Sequence, residues 1–261
     1  MKLSASVVGL GLLGPGLADW AGGREQLVGN APWQTAATAV PAPQRLPATE
    51  RRRAGALVKA SILVADQALA MAGLEPGPLA TVFTSSTGDP LNCHLLCEAL
   101  ATPERMVSPT RFTNSVHNAP AGYWHIATAS RAPSTSLAAF DASFGAGLLE
   151  AAVQCLSSQA PVLLVACDLP YPEPLHAVRP VADVMAVALL LAPAGGRALS
   201  LEVTTEADAT PCAQAGFENL RRTIPAARAL PLLHALAGSG SASLVLEGLP
   251  GMSLTLQVGA A

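Results

Sequence analysis

The sequence predicts an α/β fold with a largely buried sheet, and three observations carry that expectation. Short apolar runs of strand length stand at residues 79–85, 161–167 and 184–191, bounded by turn residues. Between them lie segments with apolar residues at helical spacing, most plainly Leu57, Ile62, Leu63, Ala65 and Leu69; such alternation builds layered α/β domains. The third is composition. Hydrophobic residues make up 51% of the chain and charged ones 13%, so much of its surface is covered, by a core or by another protein. A chain of 261 residues can bury roughly 70–75% of the surface its unfolded form exposes, without a metal or disulfide staple.

In chain order, residues 3–8 read as a first strand, followed by a glycine-rich turn (Gly9, Gly11, Gly14, Pro15, Gly16) and a short helix at 17–22. Residues 30–48, with Pro32, Pro41, Pro43 and Pro47, form an irregular excursion. One long helix is expected from 50 to 73, where Gly73 can stop it. A strand at 79–85 ends in the turn SSTGDP; a helix at 91–100, a loop to Pro109 and a helix within 114–128 follow. Residues 134–140 read as a strand that turns at Phe140-Asp141 into a helix running to about 157. Strands at 161–167, 184–191, 199–204, 241–246 and 254–258 complete the pattern.

Charge and cysteine usage narrow the function. A net charge of −3, with Arg51-Arg52-Arg53 as the basic block, gives no electrostatic footprint for nucleic acid or polyphosphate. No apolar run reaches the length of a membrane helix. The N-terminus MKLSASVVGLGLLGPGLADW imitates a signal peptide, but its glycines break the apolar stretch, so a first core strand and a cytoplasmic location are expected. Five cysteines at irregular spacing fit reduced thiols better than a disulfide frame.

Other motifs read as structural. Gly9-x-Gly11-x-x-Gly14 follows a strand as a dinucleotide fingerprint does, but Pro15 and Gly16 interrupt the helix and the proline-rich stretch replaces the second strand. Cys93, His94 and Cys97 cluster on a helix without a second ligand pair, which favours buried thiols over zinc. Ser85-Ser86-Thr87 lacks a hydrolase elbow and reads as a turn. The most polar stretch, with Asn114, Ser115, His117, Asn118, Tyr123, Trp124 and His125, is either a solvated face or an interface whose aromatics anchor a partner.

Read in order, GLGLLGPG, ERRRAGALVKA, TSSTGDP, SPTRFTNSVHNAPAGYWHIATASRAPSTSLAAFDASFGAGLLEA and PVLLVACD resemble the N-terminal half of a β-ketoacyl synthase. The 108–124 segment further resembles the chain-length-factor subunits of aryl polyene clusters. The resemblance implies a thiolase-like, layered α/β/α/β/α fold with a shortened C-terminal half: residues 1–195 as the synthase-like half and 196–261 as a reduced remainder, in one compact unit.

In that family a cysteine at the strand-to-helix elbow takes the acyl chain as a thioester, because a helix N-terminus favours the thiolate. Here Asp141 stands at that position, with no cysteine within ten residues; it is expected to cap the helix, the alternative being a catalytic carboxylate. The family's two malonyl-binding histidine motifs are absent, although 236–246 (LAGSGSASLVL) still resembles its last glycine-rich turn and strand. His234 is expected to be a core or interface residue, the alternative being a catalytic one.

The resemblance thus implies a non-catalytic partner that forms a heterodimer with a β-ketoacyl synthase and meets acyl carrier protein indirectly, with no cofactor, metal, nucleic acid or membrane span. Its strand at 134–140 would pair across a pseudo-twofold axis. Thr113, Asn114, Val116, His117, Asn118, Pro120, Tyr123, Trp124 and Phe140 would form the acyl pocket and interface. The rival readings are a divergent thioester-acting enzyme using Asp141 or His234, and a thiolase-like homodimeric scaffold.

Overall fold

Eight strands form a single mixed sheet in the computed structural model, which describes residues 2–261. They are β1 (Lys2–Leu13), β2 (Ala80–Thr84), β3 (Ser134–Leu137), β4 (Val162–Asp168), β5 (Met185–Ala192), β6 (Arg197–Thr205), β7 (Ala242–Glu247) and β8 (Met252–Val258). Their spatial order is β3-β2-β4-β5-β1-β6-β8-β7. The pairs β3–β2 and β2–β4 are parallel, and every other neighbour is antiparallel.

The helices are α1 (Trp20–Leu27), α2 (Ala48–Arg53), α3 (Ala56–Ala72), α4 (Pro90–Ala101), α5 (Pro109–Thr113), α6 (Ala119–Thr128), α7 (Ser143–Ser158), α8 (Leu175–Val178), α9 (Ala215–Thr223) and α10 (Leu230–Ala237). A 3₁₀ turn, Pro225–Ala229, leads into α10.

Both sheet faces are covered over the central strands, which is why β4 and β5 are buried throughout. Along β4, Val162, Leu164 and Ala166 meet α7 and the 3₁₀ turn, while Leu163, Val165 and Cys167 belong to the second core, which holds α3 and α6. The C-terminal strands β6, β8 and β7 extend this same sheet rather than starting another. Their second face is polar, with Ser200, Glu202 and Gln257 between buried apolar neighbours.

Strand β1 runs past the expected end at residue 8. A register shift between Val7 and Gly9 lets Leu3, Ala5 and Val7 before it, and Leu10 and Leu12 after it, enter the same core. Of the glycines read as a turn, Gly9 and Gly11 are strand residues, while Gly14 and Gly16 lie in the turn beyond β1: a Cβ on Gly9 would lie 2.2 Å from the Ala68 carbonyl oxygen, and one on Gly11 1.9 Å from that of Val64. They let α3 lie directly on β1, and the following helix starts at Trp20 rather than near 17.

The expected helix at 50–73 divides into α2 and α3 at Ala54-Gly55. The Asp89 carboxylate occupies the space a Gly55 Cβ would need. Gly73 ends α3 in the left-handed conformation, φ 64°, as expected. Cys93 and Cys97 correct the expectation of buried thiols: both are exposed on α4, which buries Pro90 and Asn92, whereas Cys155 and Cys167 are buried. Helices α5, α8, α9 and α10 had no reading in the sequence; α9 buries only Phe217, Leu220 and Arg221, a stripe too narrow to stand out.

Candidate functional site

The site is the elbow between β3 and α7. Phe140 sits there at φ 50°, a left-handed conformation costly for an aromatic residue. Ser143 holds it: its hydroxyl accepts from the Ala139 N–H at 3.0 Å and donates to the Phe140 carbonyl at 2.6 Å. The Phe140 ring is exposed, with the Arg179 guanidinium 3.9 Å from its centroid, close enough for a cation–π contact.

Asp141 does not cap α7, which starts one residue later with Ala142 at the cap position and no side-chain cap bond. Its oxygens are taken by two arginines instead. Arg179 Nη2 donates to Oδ1 at 2.6 Å and Arg228 Nη2 to Oδ2 at 3.0 Å. Arg228 also approaches Glu247, which receives Arg221 Nη1. Asp141 thereby ties the elbow to the segment after α8 and to the 3₁₀ turn. A local sequence reading names the cap candidate but misses partners 38 and 87 positions away.

Arg179 in turn donates to Ser86 Oγ at 2.8 Å and to the Tyr171 hydroxyl at 3.2 Å. The turn carrying Ser86 is built on Asp168, the last residue of β4. One Asp168 oxygen accepts from the backbone N–H groups of Ser86 and Thr87 at 2.7 and 2.9 Å and from the hydroxyls of Ser85 and Thr87 at 3.1 and 3.2 Å. Burial pushes its carboxyl up from the ordinary value, and these bonds act the other way. The serines and threonine therefore serve the turn, as expected.

The nine expected pocket and interface residues divide by exposure. Trp124 is fully buried, and Asn114, Pro120 and Tyr123 are buried with it. The Tyr123 hydroxyl donates to Asn114 Oδ1 at 3.0 Å, and Asn114 Nδ2 donates to the Arg53 carbonyl at 2.8 Å. These four pin α6 and the segment before it to α2 and α3. Thr113, Val116, His117, Asn118 and Phe140 are exposed. His117 Nε2 lies 3.4 Å from the Ser85 carbonyl oxygen, which places it next to the turn that Arg179 grips.

An open groove of about 440 Å³ runs between α6 and β3, lined by Asn118, Ala121, Gly122, His125, Ser134 and Ser136. A larger cavity, about 590 Å³, lies instead beside α4 and α5, and of the nine residues Asn114 borders it. His234, expected in the core or at an interface, is not in the core: it is exposed on α10 and borders a separate cavity with Leu27, Cys212 and Phe217. Among the described residues no group of His, Cys, Asp and Glu is placed to hold a metal ion, and no helix is long and apolar enough to cross a membrane.

Solved structures share this architecture. A ketosynthase (ApeO) in complex with its chain length factor (ApeC) from Xenorhabdus doucetiae matches with TM-score 0.74 and 23% identity, over 97% of this chain and 99% of that chain. A β-ketoacyl synthase from Burkholderia phymatum matches with TM-score 0.70 and 12% identity over the full length of both chains. A type II polyketide synthase complex of ketosynthase and acyl-carrier protein, AntDE:AntF, matches with TM-score 0.72 and 12% identity, again over both full chains. The fold is thus the thiolase-like fold of ketosynthases. No curated protein matches the chain. The sequence model described as "Beta-ketoacyl synthase, N-terminal domain" matches residues 24–245, more than half of the sequence, and the chain belongs to that family.

Proposed function

We propose that this chain is a non-catalytic, chain-length-factor-like partner of a β-ketoacyl synthase, of the aryl polyene type, in fatty acid or polyketide assembly. One observation carries the reading: the elbow position holds a carboxylate whose two oxygens are each bound by a guanidinium. A carboxylate is a weak nucleophile towards a thioester, and one neutralised on both oxygens is weaker still. Cys155 lies deeper in α7 and is buried, with its thiol pushed up by burial, the opposite of an activated nucleophile.

The partner would supply the thiol and the histidine pair, and meet the acyl carrier protein. This chain would present the β3 edge with exposed Phe140, Val116, His117 and Asn118 beside it, forming one wall of the acyl pocket. Pocket depth would set chain length, since one more two-carbon unit pressed against a packed wall costs about 1–3 kcal/mol. As an assembly of 1–195 and 196–261, the chain keeps the synthase-like half and the shortened remainder in one unit.

Co-expression with a β-ketoacyl synthase carrying the active thiol tests this. The expected result is a one-to-one complex that elongates acyl chains, with the acyl group found on the partner alone by intact-mass measurement. A stable homodimer ignoring the synthase would favour the scaffold reading. Acyl loading and elongation by this chain alone would favour the enzyme reading.

A further inference from the structure

We propose that the cavity beside Asp141, the residue at this family's nucleophile position, is a binding site for a small oxyanion, a phosphate or carboxylate group. The cavity measures about 170 Å³ and is lined by Asp141, Arg179, Arg222 and Arg228 with Pro180, Val181, Thr223 and Pro225. Three guanidiniums thus face one carboxylate. At about 30 Å³ per water, the space holds a phosphate-sized group with a few waters, and it falls below the roughly 300–1,000 Å³ of pockets for larger ligands.

The charges do not cancel within the cluster. Asp141 is shared between Arg179 and Arg228, and the remaining bonds of Arg179 go to neutral hydroxyls of Ser86 and Tyr171. Glu247 is shared between Arg228 and Arg221, and Glu218 is held by Arg221. Arg222 lines the cavity and forms no hydrogen bond or ion pair among the described residues; its charge acts on Glu218, which Arg221 already holds, so the four arginines still outnumber Asp141, Glu218 and Glu247. A chain with net charge −3 therefore concentrates surplus positive charge in one small concavity, and guanidiniums suit the planar and tetrahedral oxygens of carboxylate and phosphate. The walls are held from three directions: by the Asp168-built turn through Ser86, by the elbow through Asp141, and by the 3₁₀ turn through Arg228. A site fixed in this way needs little reorganisation to bind.

The inference does not depend on a synthase partner and is tested on the full-length chain alone. Thermal unfolding and titration calorimetry with inorganic phosphate and with sodium acetate, at ionic strength held constant with sodium chloride, read binding directly. The expected result is saturable stabilisation by phosphate or acetate beyond the chloride control, the stronger of the two identifying the group. Arg222→Gln should weaken that binding about tenfold, equivalent to about 1.4 kcal/mol. Asp141→Asn, which removes the competing charge, should strengthen it. Arg222 is exposed and unbonded, so its variant carries the test even where Asp141→Asn does not fold. Equal response to chloride, unchanged binding in Arg222→Gln, or weaker binding in a folded Asp141→Asn overturns the proposal.

Discussion

Glu218 is gripped by its neighbour on the next turn of α9: Arg221 Nε donates to Oε2 and Nη2 to Oε1, both at 2.8 Å, and the Cys212 N–H adds a bond at 2.9 Å. The Arg221 bonds lower its pKa from 4.5 to about 2 against the opposing effect of burial. A carboxyl whose pKa falls on folding stabilises the fold above its unfolded value and loses that contribution as pH drops through the folded one. Glu218→Gln should therefore be less stable than the parent at pH 7, by about 1–2 kcal/mol given hydrogen bonds to a charged group. In paired denaturant titrations the gap should close between pH 4.5 and about 2; a gap constant across that window sinks the assignment. This i,i+3 pair was within reach of sequence reading. The Asp141 pairings were not, because a side chain's local options are visible in its neighbours and its distant partners are not.

At the scale of elements, the β1–α3 contact is where a motif most easily misleads. Gly9 and Gly11 have the spacing of a phosphate loop, yet each lies within a strand and faces a helix carbonyl. Close packing and phosphate binding both require the absent side chain, so the spacing alone does not separate them. Gly11→Ala should push α3 off the sheet and cost at least about 1–3 kcal/mol as overpacking against backbone. Gly77→Ala, with open space around its Cβ, is the matched control and should be near neutral. Equal melting temperatures for both variants would refute the packing role. The apolar runs of β2, β4, β5 and α7 were legible because burial on both faces leaves an unbroken signature. The breaks were less so: the α2–α3 division depends on Asp89 arriving from another turn.

The whole molecule has two sheet edges, and they are treated differently. Beyond β7, Thr210 closes the edge, its N–H bonding the Val245 carbonyl and its hydroxyl accepting from the Val245 N–H, both at 2.9 Å. Strand β3 ends the sheet on the other side with no strand beyond it among the described residues. The carbonyls of Pro133 and Leu137 point inwards to the N–H groups of Thr81 and Ser85, so the alternation of a parallel strand turns the backbone of Ser134 and Ser136 outwards. An unpaired edge of this kind is a template for another chain, and exposed Phe140 and Ile126 lie on the elements flanking it. Family and architecture could be read from motif order, whereas the contrast between edges depends on how residues 206–214 fold back, which no motif announces. Because proline is tolerated where a strand's N–H faces away from its own sheet, Ser136→Pro separates folding from assembly. The variant should melt within a few degrees of the parent by circular dichroism, yet lose the complex with a co-expressed β-ketoacyl synthase in size-exclusion chromatography. A complex of undiminished yield would show that association proceeds through some other face, while a collapsed melting curve would show that Ser136 already serves its own sheet.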